Sequence, residues 1–290
     1  MNFGHLADKA ASFEIMDRAY DQGIQFIDTA DVYGGPQRPD IPLGYGISEE
    51  LWASGSKRAG NATRSSSRRS STNRWSTAPT AGAFRPITSA KPAKQSAPLE
   101  DGPHRPLPDA PFRPRDAVRR IWQAMDVLIQ QGKVLYVGSC NFPGWGIAAM
   151  QGEARLRGLV GLVSEQSRYN LACRQLELEV IPSCRHHGMG LLTYSPLDGG
   201  LLAGHSQAGD GKGRCAKPSL PIRDPKFAER VAAYEALCER YEMNPADVAL
   251  AWVLANPVVT APIVGPRTLA HLEGSMKTLD LTLPQEMLEE

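Results

Sequence analysis

The sequence predicts an α/β fold in which parallel strands alternate with helices. Short apolar runs recur along most of the chain, and amphipathic stretches with a helical period separate them. This alternation is typical of βα units, whose strands are buried on both faces of the sheet. The length of 290 residues is also about that of an α/β barrel.

Residues 1–53 predict one helix and one strand. Apolar residues recur with a helical period in Ala11–Gln22, and Gly23 closes the pattern. The apolar run Gly23–Asp28 that follows is predicted to be a strand.

Residues 117–290 predict most of the fold. Asp116–Gln131 places its apolar residues on one face, which predicts a helix, and Lys133–Gly138 predicts a short, fully buried strand. The further predicted strands are Gly161–Ser164, Gly190–Tyr194 and Val259–Val264, and the further predicted helices are Leu176–His187, Pro225–Glu242 and Pro245–Leu254.

Residues 54–115 have a different composition. Serine, arginine, proline, alanine and threonine dominate there, and the few apolar residues follow neither the strand nor the helix period. Taken at face value, this composition predicts a basic disordered linker. A linker of that length is unusual inside a βα fold, because loops beyond about 15 residues are normally functional or disordered.

Composition narrows the possible partners and the location. The net charge of +1 gives no case for nucleic-acid or membrane partners. The five cysteines are scattered without a CxxC pair, which favours reduced thiols over a disulfide framework or a metal site. No apolar run approaches the roughly 20 residues that span a bilayer. We therefore expect a cytoplasmic protein without a metal.

A carboxylate and a phenol form the first candidate for chemistry. Asp28 ends the predicted strand, and Tyr33 follows five residues later in the same loop. A coupled charge can move a tyrosine pKa far from its ordinary value of about 10, so the pair suits proton transfer. The alternative is a solvated turn aspartate beside a packed tyrosine.

Short blocks of sequence in a fixed order place this pair in a wider pattern. The blocks are Asp28–Gly34, Ser48–Leu51, Gly132–Phe142, Glu165–Asn170, Tyr194–Leu197, Gly199–Gly204 and Ile263–Thr268. Together they resemble the aldo-keto reductase family, in particular its branch related to aryl-alcohol dehydrogenases and potassium-channel β subunits. The resemblance covers about 1–53 and 117–290. It implies a (β/α)8 TIM barrel that binds NADPH at the C-terminal ends of its strands.

The resemblance also implies catalytic roles. Tyr33 matches the general acid that protonates the carbonyl oxygen of a small aldehyde or ketone, and Asp28 matches a residue of the polar network that lowers the tyrosine pKa. The family adds a lysine at the end of its third strand and a histidine at the end of its fourth. Neither residue occurs here in a suitable context.

Cofactor contacts are implied in the same way. Cys140, Asn141 and Gln166 match positions that hydrogen-bond the nicotinamide carboxamide, and Tyr194 matches the ring that stacks on nicotinamide. The loop Ser195–Gly204, including Ser195, Leu197 and Gly199, matches the segment along the pyrophosphate. Arg267 matches the cation for the 2′-phosphate of NADPH, a contact suited to a guanidinium.

Some of these positions depart from the family pattern or allow a simpler interpretation. Cys140 stands where the family usually has serine, and Gly274 and Ser275 stand where an acidic residue and asparagine usually hold the adenosine. Asn141 could instead cap the following helix, and Gln166 could satisfy buried backbone. Arg267 could equally be a surface charge.

A reading-frame shift is the leading explanation for the composition of 54–115. If Ser65–Ser67 use TCN codons, and Arg68, Arg69 and Ser70 use CGN, CGN and AGY, a one-base shift permits the family strand Ile-Val-Leu-Ala-Thr-Lys. The other shift permits, over Leu99–Pro114, a fourth strand that ends in histidine. The two amino-acid sequences translated in the shifted frames contain the missing lysine and histidine, in the order in which the family has them. The alternative is a true low-complexity insertion.

The expected domain is a single aldo-keto reductase-like barrel over 1–290, aberrant within 54–115. Met1–Gly4 resembles the end of the first barrel strand, and Glu290 falls at the start of the last barrel helix, so truncated ends are expected. Replacement of the third and fourth strands predicts an incomplete barrel with exposed strand edges and poor solubility.

Two functions follow from this sequence. The first is NADPH-dependent reduction of an aldehyde or ketone with Tyr33 as general acid. The second is an inactive remnant of such an enzyme that at most binds nucleotide. A scaffold role like that of the channel β subunits has no support beyond the branch similarity, and the sequence does not define the oligomeric state.

Overall fold

A computed structural model of the chain describes residues 2–4, 7–24, 26–30, 33, 47–54, 114–204 and 225–290. Its architecture is α/β with a parallel sheet, as the sequence predicts. Nearly all of the low-complexity segment 54–115 lies outside the described residues, so its predicted disorder stays a prediction. The chain divides into two compact units.

The first unit combines Met1–Pro98, Ala124–Tyr136 and Gly265–Leu272. Its first helix, α1, covers Lys9–Asp21, and the carboxylate of Asp8 caps it by accepting a backbone N–H bond at 2.9 Å. Ile15 and Met16 form the buried face of this helix. A second helix, α2, covers residues 47–54.

The second unit combines Leu99–Gln123, Val137–Val264 and Glu273–Glu290. Within the described residues it contains one parallel sheet, and the spatial order of its strands is their order in the chain. The strands are β1 Val137–Cys140, β2 Leu162–Arg168, β3 Gly190–Tyr194 and β4 Val259–Pro262. Parallel neighbours need a crossover connection, and helices occupy each connection here.

The remaining helices in the described ranges precede, connect or follow these strands. They are α3 Pro114–Gln130, α4 Gly144–Leu156, α5 Val180–His187, α6 Pro225–Arg240, α7 Pro245–Leu254, α8 Leu269–Lys277 and α9 Gln285–Glu289. Short 3-10 turns lie at Gln175–Glu177, Asp198–Ala203 and Thr278–Asp280. None of the helices that the structure describes is both long and apolar enough to pass through a bilayer.

Buried apolar side chains hold the helices against the sheet. Leu191 of β3 is fully buried and packs with Ile181 of α5 and Val253 of α7. The indole N–H of Trp122 in α3 donates to the Met150 carbonyl of α4 at 2.9 Å, so this buried ring also satisfies its polar atom. The contacts of Leu191 therefore attach α5 and α7 to β3, and the Trp122 bond joins α3 to α4.

Several predicted elements match the structure closely. The helix predicted over Ala11–Gln22 is α1, and the helix predicted over Asp116–Gln131 is α3. The predicted strand Gly190–Tyr194 and the predicted helix Pro245–Leu254 have the observed bounds. Pro225–Glu242 is observed as α6 with a slightly earlier end. Strong periodicity and clear end residues explain this agreement.

The strand predicted over Gly23–Asp28 is wrong for the described residues. Residues 26–30 do not form a strand, and Phe26 is 40% exposed. Gly23 first completes the end of α1 with φ 91°, and the Ile24 N–H bonds to the Ala19 carbonyl at 3.0 Å.

The strand predicted over Lys133–Gly138 begins later than expected, as β1 at Val137. Gly132 adopts φ 67° and the Lys133 N–H bonds to the Leu128 carbonyl at 3.0 Å, so these residues finish α3. Leu135 is 42% exposed, which contradicts a fully buried strand there.

The helix predicted over Leu176–His187 is divided in the structure. A 3-10 turn, Gln175–Glu177, precedes α5, which begins at Val180. Pro182 explains this start, because proline is tolerated only in the first turn of a helix.

Two predicted strands differ only at their ends. Gly161–Ser164 is the beginning of β2, which continues to Arg168, and Val259–Val264 becomes β4, which ends at Pro262. The Ile263 N–H still bonds to the Thr193 carbonyl at 2.7 Å, so the pairing with β3 extends one residue further.

Candidate functional site

The carboxyl ends of β1, β2 and β3 meet at one edge of the sheet. Cys140 at the end of β1 is in register with Gln166 of β2, and Arg168 at the end of β2 is in register with Tyr194 at the end of β3. Residues in register on parallel strands project to the same face, and residues two apart on one strand do so too. The four partly exposed side chains therefore share one face and one edge.

Two of these strand ends turn sharply through left-handed backbone. Asn141 directly follows β1 with φ 58°, and Ser195 directly follows β3 with φ 54°. Such a conformation costs a residue with a side chain roughly 1–2 kcal/mol, less for asparagine, and residues held in it cluster at functional sites. The repeated cost marks this edge as the candidate site.

A hydrogen bond joins the two turns. The phenol of Tyr194 donates to Oδ1 of Asn141 at 3.0 Å. Partial burial raises the pKa of Tyr194 above its ordinary value, so the phenol keeps its proton at neutral pH and acts as the donor. The backbone N–H of Asn141 donates to the Gln166 carbonyl at 2.9 Å and holds the turn against β2.

Asn141 does not cap the following helix. The residue before α4 is Pro143, and no side chain caps that helix end. The thiol of Cys140 lies 3.9 Å from Oε1 of Gln166, which is a weak contact compared with a hydroxyl hydrogen bond. The carboxamides of Asn141 and Gln166 together offer both donors and acceptors to a ligand amide.

A buried carboxylate supports the edge from the opposite face of the sheet. Glu165 is fully buried on β2, and its two oxygens accept from the hydroxyls of Ser139 and Ser167 and from the Phe142 backbone N–H at 3.0 Å. Burial raises the pKa of Glu165, and these hydrogen bonds work to lower it. The carboxylate thereby ties β1, β2 and the turn at Asn141 together.

The loop after β3 is held by two side chains from β2 and the turn beyond it. Nδ2 of Asn170, a fully buried residue, donates to the Ser195 carbonyl at 2.8 Å. The guanidinium of Arg168 forms an ion pair with the carboxylate of Asp198. Gly199 and Gly200 follow with φ 74° and 107°, the second of which is accessible essentially only to glycine.

The residues at the ends of β1, β2 and β3, together with those that hold them, form a strand-end cluster: Cys140, Asn141, Glu165, Gln166, Arg168, Asn170, Tyr194, Ser195 and Asp198. The predicted catalytic pair lies in the first unit, whereas this strand-end cluster lies in the second. Asp28 is half-buried. Tyr33 is also half-buried, and its backbone is fixed by bonds to the Ala30 carbonyl at 3.0 Å and from the Ser48 N–H at 3.3 Å. The hydroxyls of Ser48 and Thr29 lie 2.7 Å apart and link this loop to α2.

Comparison with known proteins adds independent information to this geometry. A model of the aldo/keto reductase family matches residues 1–70 and 103–290, which is most of the chain. The chain belongs to the aldo/keto reductase family. Members of the family are (β/α)8 barrels and generally use a nicotinamide cofactor, and β1–β4 with their intervening helices fit consecutive βα units of that fold. The incompleteness of the barrel remains a prediction.

Individual relatives of this chain are oxidoreductases by name. It is 36% identical over 295 residues to the uncharacterized oxidoreductase YrpG of Bacillus subtilis (strain 168), covering 99% of this chain and 88% of that protein. It is 30% identical over 294 residues to aryl-alcohol dehydrogenase GME11368 of Pestalotiopsis microspora, covering 97% and 72%. The NADP(+) aryl-alcohol dehydrogenase of Phanerodontia chrysosporium is 25% identical over 179 residues, covering 59% and 46%.

The remaining predicted cofactor residue, Arg267, lies in the first unit just before α8 and is partly exposed. The departing positions Gly274 and Ser275 lie within α8. A side chain at Gly274 would meet nothing within 4 Å, so glycine is not required there by packing. Among the residues that the structure describes, no cluster of histidine, cysteine and acidic side chains could hold a metal ion.

Sequence reasoning missed several residues of the strand-end cluster. Glu165, Arg168 and Asn170 lay inside a motif that identified the family, but none had a role. Asp198 lay between two motif blocks and had none either. The sequence around a single acidic residue does not show whether that residue has a structural role, because the role depends on partners elsewhere in the chain. Only the register of β1, β2 and β3 brings those partners together.

Proposed function

We propose that this reductase reduces an aldehyde or ketone to the alcohol with NADPH. The observation that carries the proposal is the cluster at the strand ends, in which the Tyr194 phenol donates to Asn141 beside Gln166 and Cys140. The carboxamides of Asn141 and Gln166 could donate to and accept from a ligand amide, and an aromatic ring could stack on the face of Tyr194.

The residues at this edge fit a nicotinamide ring. Asn141 and Gln166 would bind its carboxamide, Tyr194 would stack on it, and Cys140 would add a weaker contact. Ser195, Leu197 and Gly199 belong to the loop proposed to follow the pyrophosphate. When bound, the nicotinamide supplies a hydride to the carbonyl carbon.

Tyr33 would supply the proton for the same reaction, and Asp28 would support it. A phenol suits this role because it donates a proton to the carbonyl oxygen as negative charge develops there. The fixed backbone of Tyr33, bonded to Ala30 and Ser48, would keep the phenol in a defined position.

Arg267 would recognise the 2′-phosphate and so select NADPH over NADH. A guanidinium binds phosphate oxygens through directed, charge-assisted hydrogen bonds. The name of the Phanerodontia chrysosporium relative includes NADP(+), which supports this choice. The names of two relatives also suggest aromatic alcohols and aldehydes as the substrate class to test first.

Turnover with an aromatic aldehyde tests the proposal directly. Oxidation of NADPH would be followed by its absorbance for the wild-type protein and for Tyr33→Phe. We expect measurable turnover in the wild type and a loss of at least about 100-fold in the variant, since general acid–base groups contribute about that much or more. A variant as active as the wild type would exclude Tyr33 as the general acid.

One observation favours a second candidate, an inactive chain that only binds nucleotide. The family model leaves residues 71–102 unmatched, and the family lysine and histidine have no counterpart in suitable sequence context. NADPH that quenches the intrinsic fluorescence without being oxidised would support this candidate. Aldehyde-dependent oxidation that is abolished in Tyr33→Phe would exclude it.

A further inference from the structure

We infer that Arg168 and Asp198 are positioning residues, whose ion pair holds the Ser195–Gly204 loop in the conformation that binds the cofactor. This inference rests on the proposed function, in which that loop follows the pyrophosphate of NADPH. It adds to the proposed site two residues that do not touch the reacting atoms and to which the resemblance assigned no individual role.

The pair joins the ends of two neighbouring strands. Arg168 is the last residue of β2, and Asp198 lies four residues beyond the end of β3, inside the loop. The carboxylate of Asp198 is 9% exposed and the Arg168 side chain 33%, so the contact is largely shielded from water. Shielding strengthens the Coulomb attraction between the two charges, and the charge-assisted hydrogen bond between them sets the direction of the contact.

The loop backbone needs support from contacts of this kind. Asp198 has φ 48°, and Gly199 and Gly200 continue with φ 74° and 107°. Two short backbone bonds close the turn, from the Asp198 N–H to the Ser195 carbonyl at 2.9 Å and from the Gly200 N–H to the Leu197 carbonyl at 2.8 Å. A left-handed aspartate persists only where its surroundings stabilise it, and the ion pair supplies that stabilisation.

The loop is anchored at both ends. Asn170 holds its first residue through the Ser195 carbonyl, and Gly204 at its last residue lies against Pro245 of α7, where an added Cβ would come within 3.2 Å of the proline ring. The pair of Arg168 and Asp198 fixes the part between these anchors. The loop is therefore preorganised, which lowers the entropic cost of binding a ligand along it.

If Arg168 acted directly on the cofactor through its charge, removal of the Asp198 carboxylate would have the opposite effect on cofactor binding. Nε of Arg168 is buried and has no hydrogen-bond partner within the described part of the chain, while part of the guanidinium reaches solvent. If Arg168 attracted the cofactor phosphates simply as a charge, loss of the Asp198 carboxylate would strengthen binding. In a positioning role, loss of either partner weakens it.

A double-mutant cycle on NADPH affinity separates these possibilities. The dissociation constant would be measured by fluorescence titration for the wild type, Arg168→Gln, Asp198→Asn and the double variant. We expect each single change to raise the Kd about tenfold and the double change to raise it no further, because two residues in direct contact act as one coupled unit. The ion pair of Arg157 with Glu153 on α4, with Nε and Oε1 at 2.8 Å, provides the matched control. Its neutralised double variant, Arg157→Gln with Glu153→Gln, should leave the Kd unchanged.

Three outcomes overturn the inference. Tighter binding by Asp198→Asn would show a direct charge effect, additive single effects would show that the residues act separately, and unchanged affinities would show no role. A wild-type protein that does not bind NADPH overturns the proposed function together with the inference, whereas wild-type binding with unchanged variants overturns the inference alone. If a neutral variant does not fold, Arg168→Lys and Asp198→Glu keep the charges and change only the reach, and each should still weaken binding.

Discussion

The phenol of Tyr194 donates a hydrogen bond to the side-chain oxygen of Asn141, with 3.0 Å between the two oxygens. The bond connects the ends of β3 and β1, although β2 lies between these strands in the sheet. It joins the ring proposed to stack on nicotinamide to the amide proposed to bind its carboxamide. Each residue therefore restrains the orientation of the other.

Replacing Tyr194 with phenylalanine tests this relationship. The ring remains, but Asn141 loses the donor that holds its side-chain oxygen. We expect the Kd for NADPH to rise about fivefold, because one such hydrogen bond contributes about 1 kcal/mol. Fluorescence titration measures the change. Tyr136→Phe, at a tyrosine that is 45% exposed, serves as the control, and an equal effect in both variants would contradict the assignment.

The buried carboxylate of Glu165 predicts a pH-dependent stability. Burial raises the pKa of Glu165 above its ordinary 4.5, so the carboxyl group binds its proton more tightly in the folded chain than in the unfolded chain. The stabilisation is fully present below the unfolded pKa and is lost as the pH rises through the raised pKa. The Glu165→Gln variant lacks it.

Thermal unfolding between pH 4.5 and 8 measures this effect. The wild type should exceed Glu165→Gln in Tm most at the acidic end, and the difference should shrink as the pH rises. Glu229→Gln, at a solvent-exposed position of α6, should follow the wild type across the range. A difference between wild type and Glu165→Gln that does not vary with pH would rule out the linkage.

Arg267 predicts the preference for the phosphorylated cofactor. Replacing it with methionine keeps much of the side-chain length and removes the charge. We expect NADPH affinity to fall about tenfold or more, because charge-assisted hydrogen bonds contribute about 1.5–3 kcal/mol, while NADH affinity stays the same. Parallel titrations with both cofactors measure the ratio. Arg230→Met on α6 is the control, and equal losses for NADPH and NADH would argue against a 2′-phosphate contact.

The core between the sheet and its helices predicts a stability difference between two leucines. Leu191 is fully buried against Ile181 and Val253, whereas Leu178 is 84% exposed. Leu191→Ala should lower the free energy of unfolding by about 2–5 kcal/mol through lost burial and the cavity left behind. Leu178→Ala should change it by less than about 0.5 kcal/mol. Urea unfolding followed by circular dichroism compares the two, and similar midpoints would contradict the observed packing.

The composition of residues 54–115 predicts a reading-frame shift in the gene. DNA sequencing across codons 50–120 should show a shifted frame that encodes a strand ending in lysine and a later strand ending in histidine. Restoring that frame should also raise carbonyl reduction above that of the present chain. A gene in which no shifted frame encodes such strands would establish a true insertion.

Local patterns predicted the elements that depend on neighbours in sequence. Helices α1, α3 and α7 follow from apolar periodicity with recognisable ends, and β3 follows from a short apolar run bounded by glycine. The strand predicted at Gly23–Asp28 was wrong at its start, because Gly23 and Ile24 complete the end of α1. The prediction of a strand over Lys133–Gly138 was wrong for its first half, because the backbone N–H groups of Lys133 and Val134 bond to Leu128 at the end of α3.

The sequence alone determined the family, the order of the βα units and the residues proposed to bind the cofactor, because each is written in a contiguous motif. Tertiary structure alone decided which side chains meet. Arg168 and Asp198 are 30 positions apart, and Ser139 and Glu165 are 26 apart. Their contacts exist because parallel pairing sets the strands in register and brings their carboxyl ends to one edge. No local pattern carries that information, since the register depends on partners elsewhere in the chain.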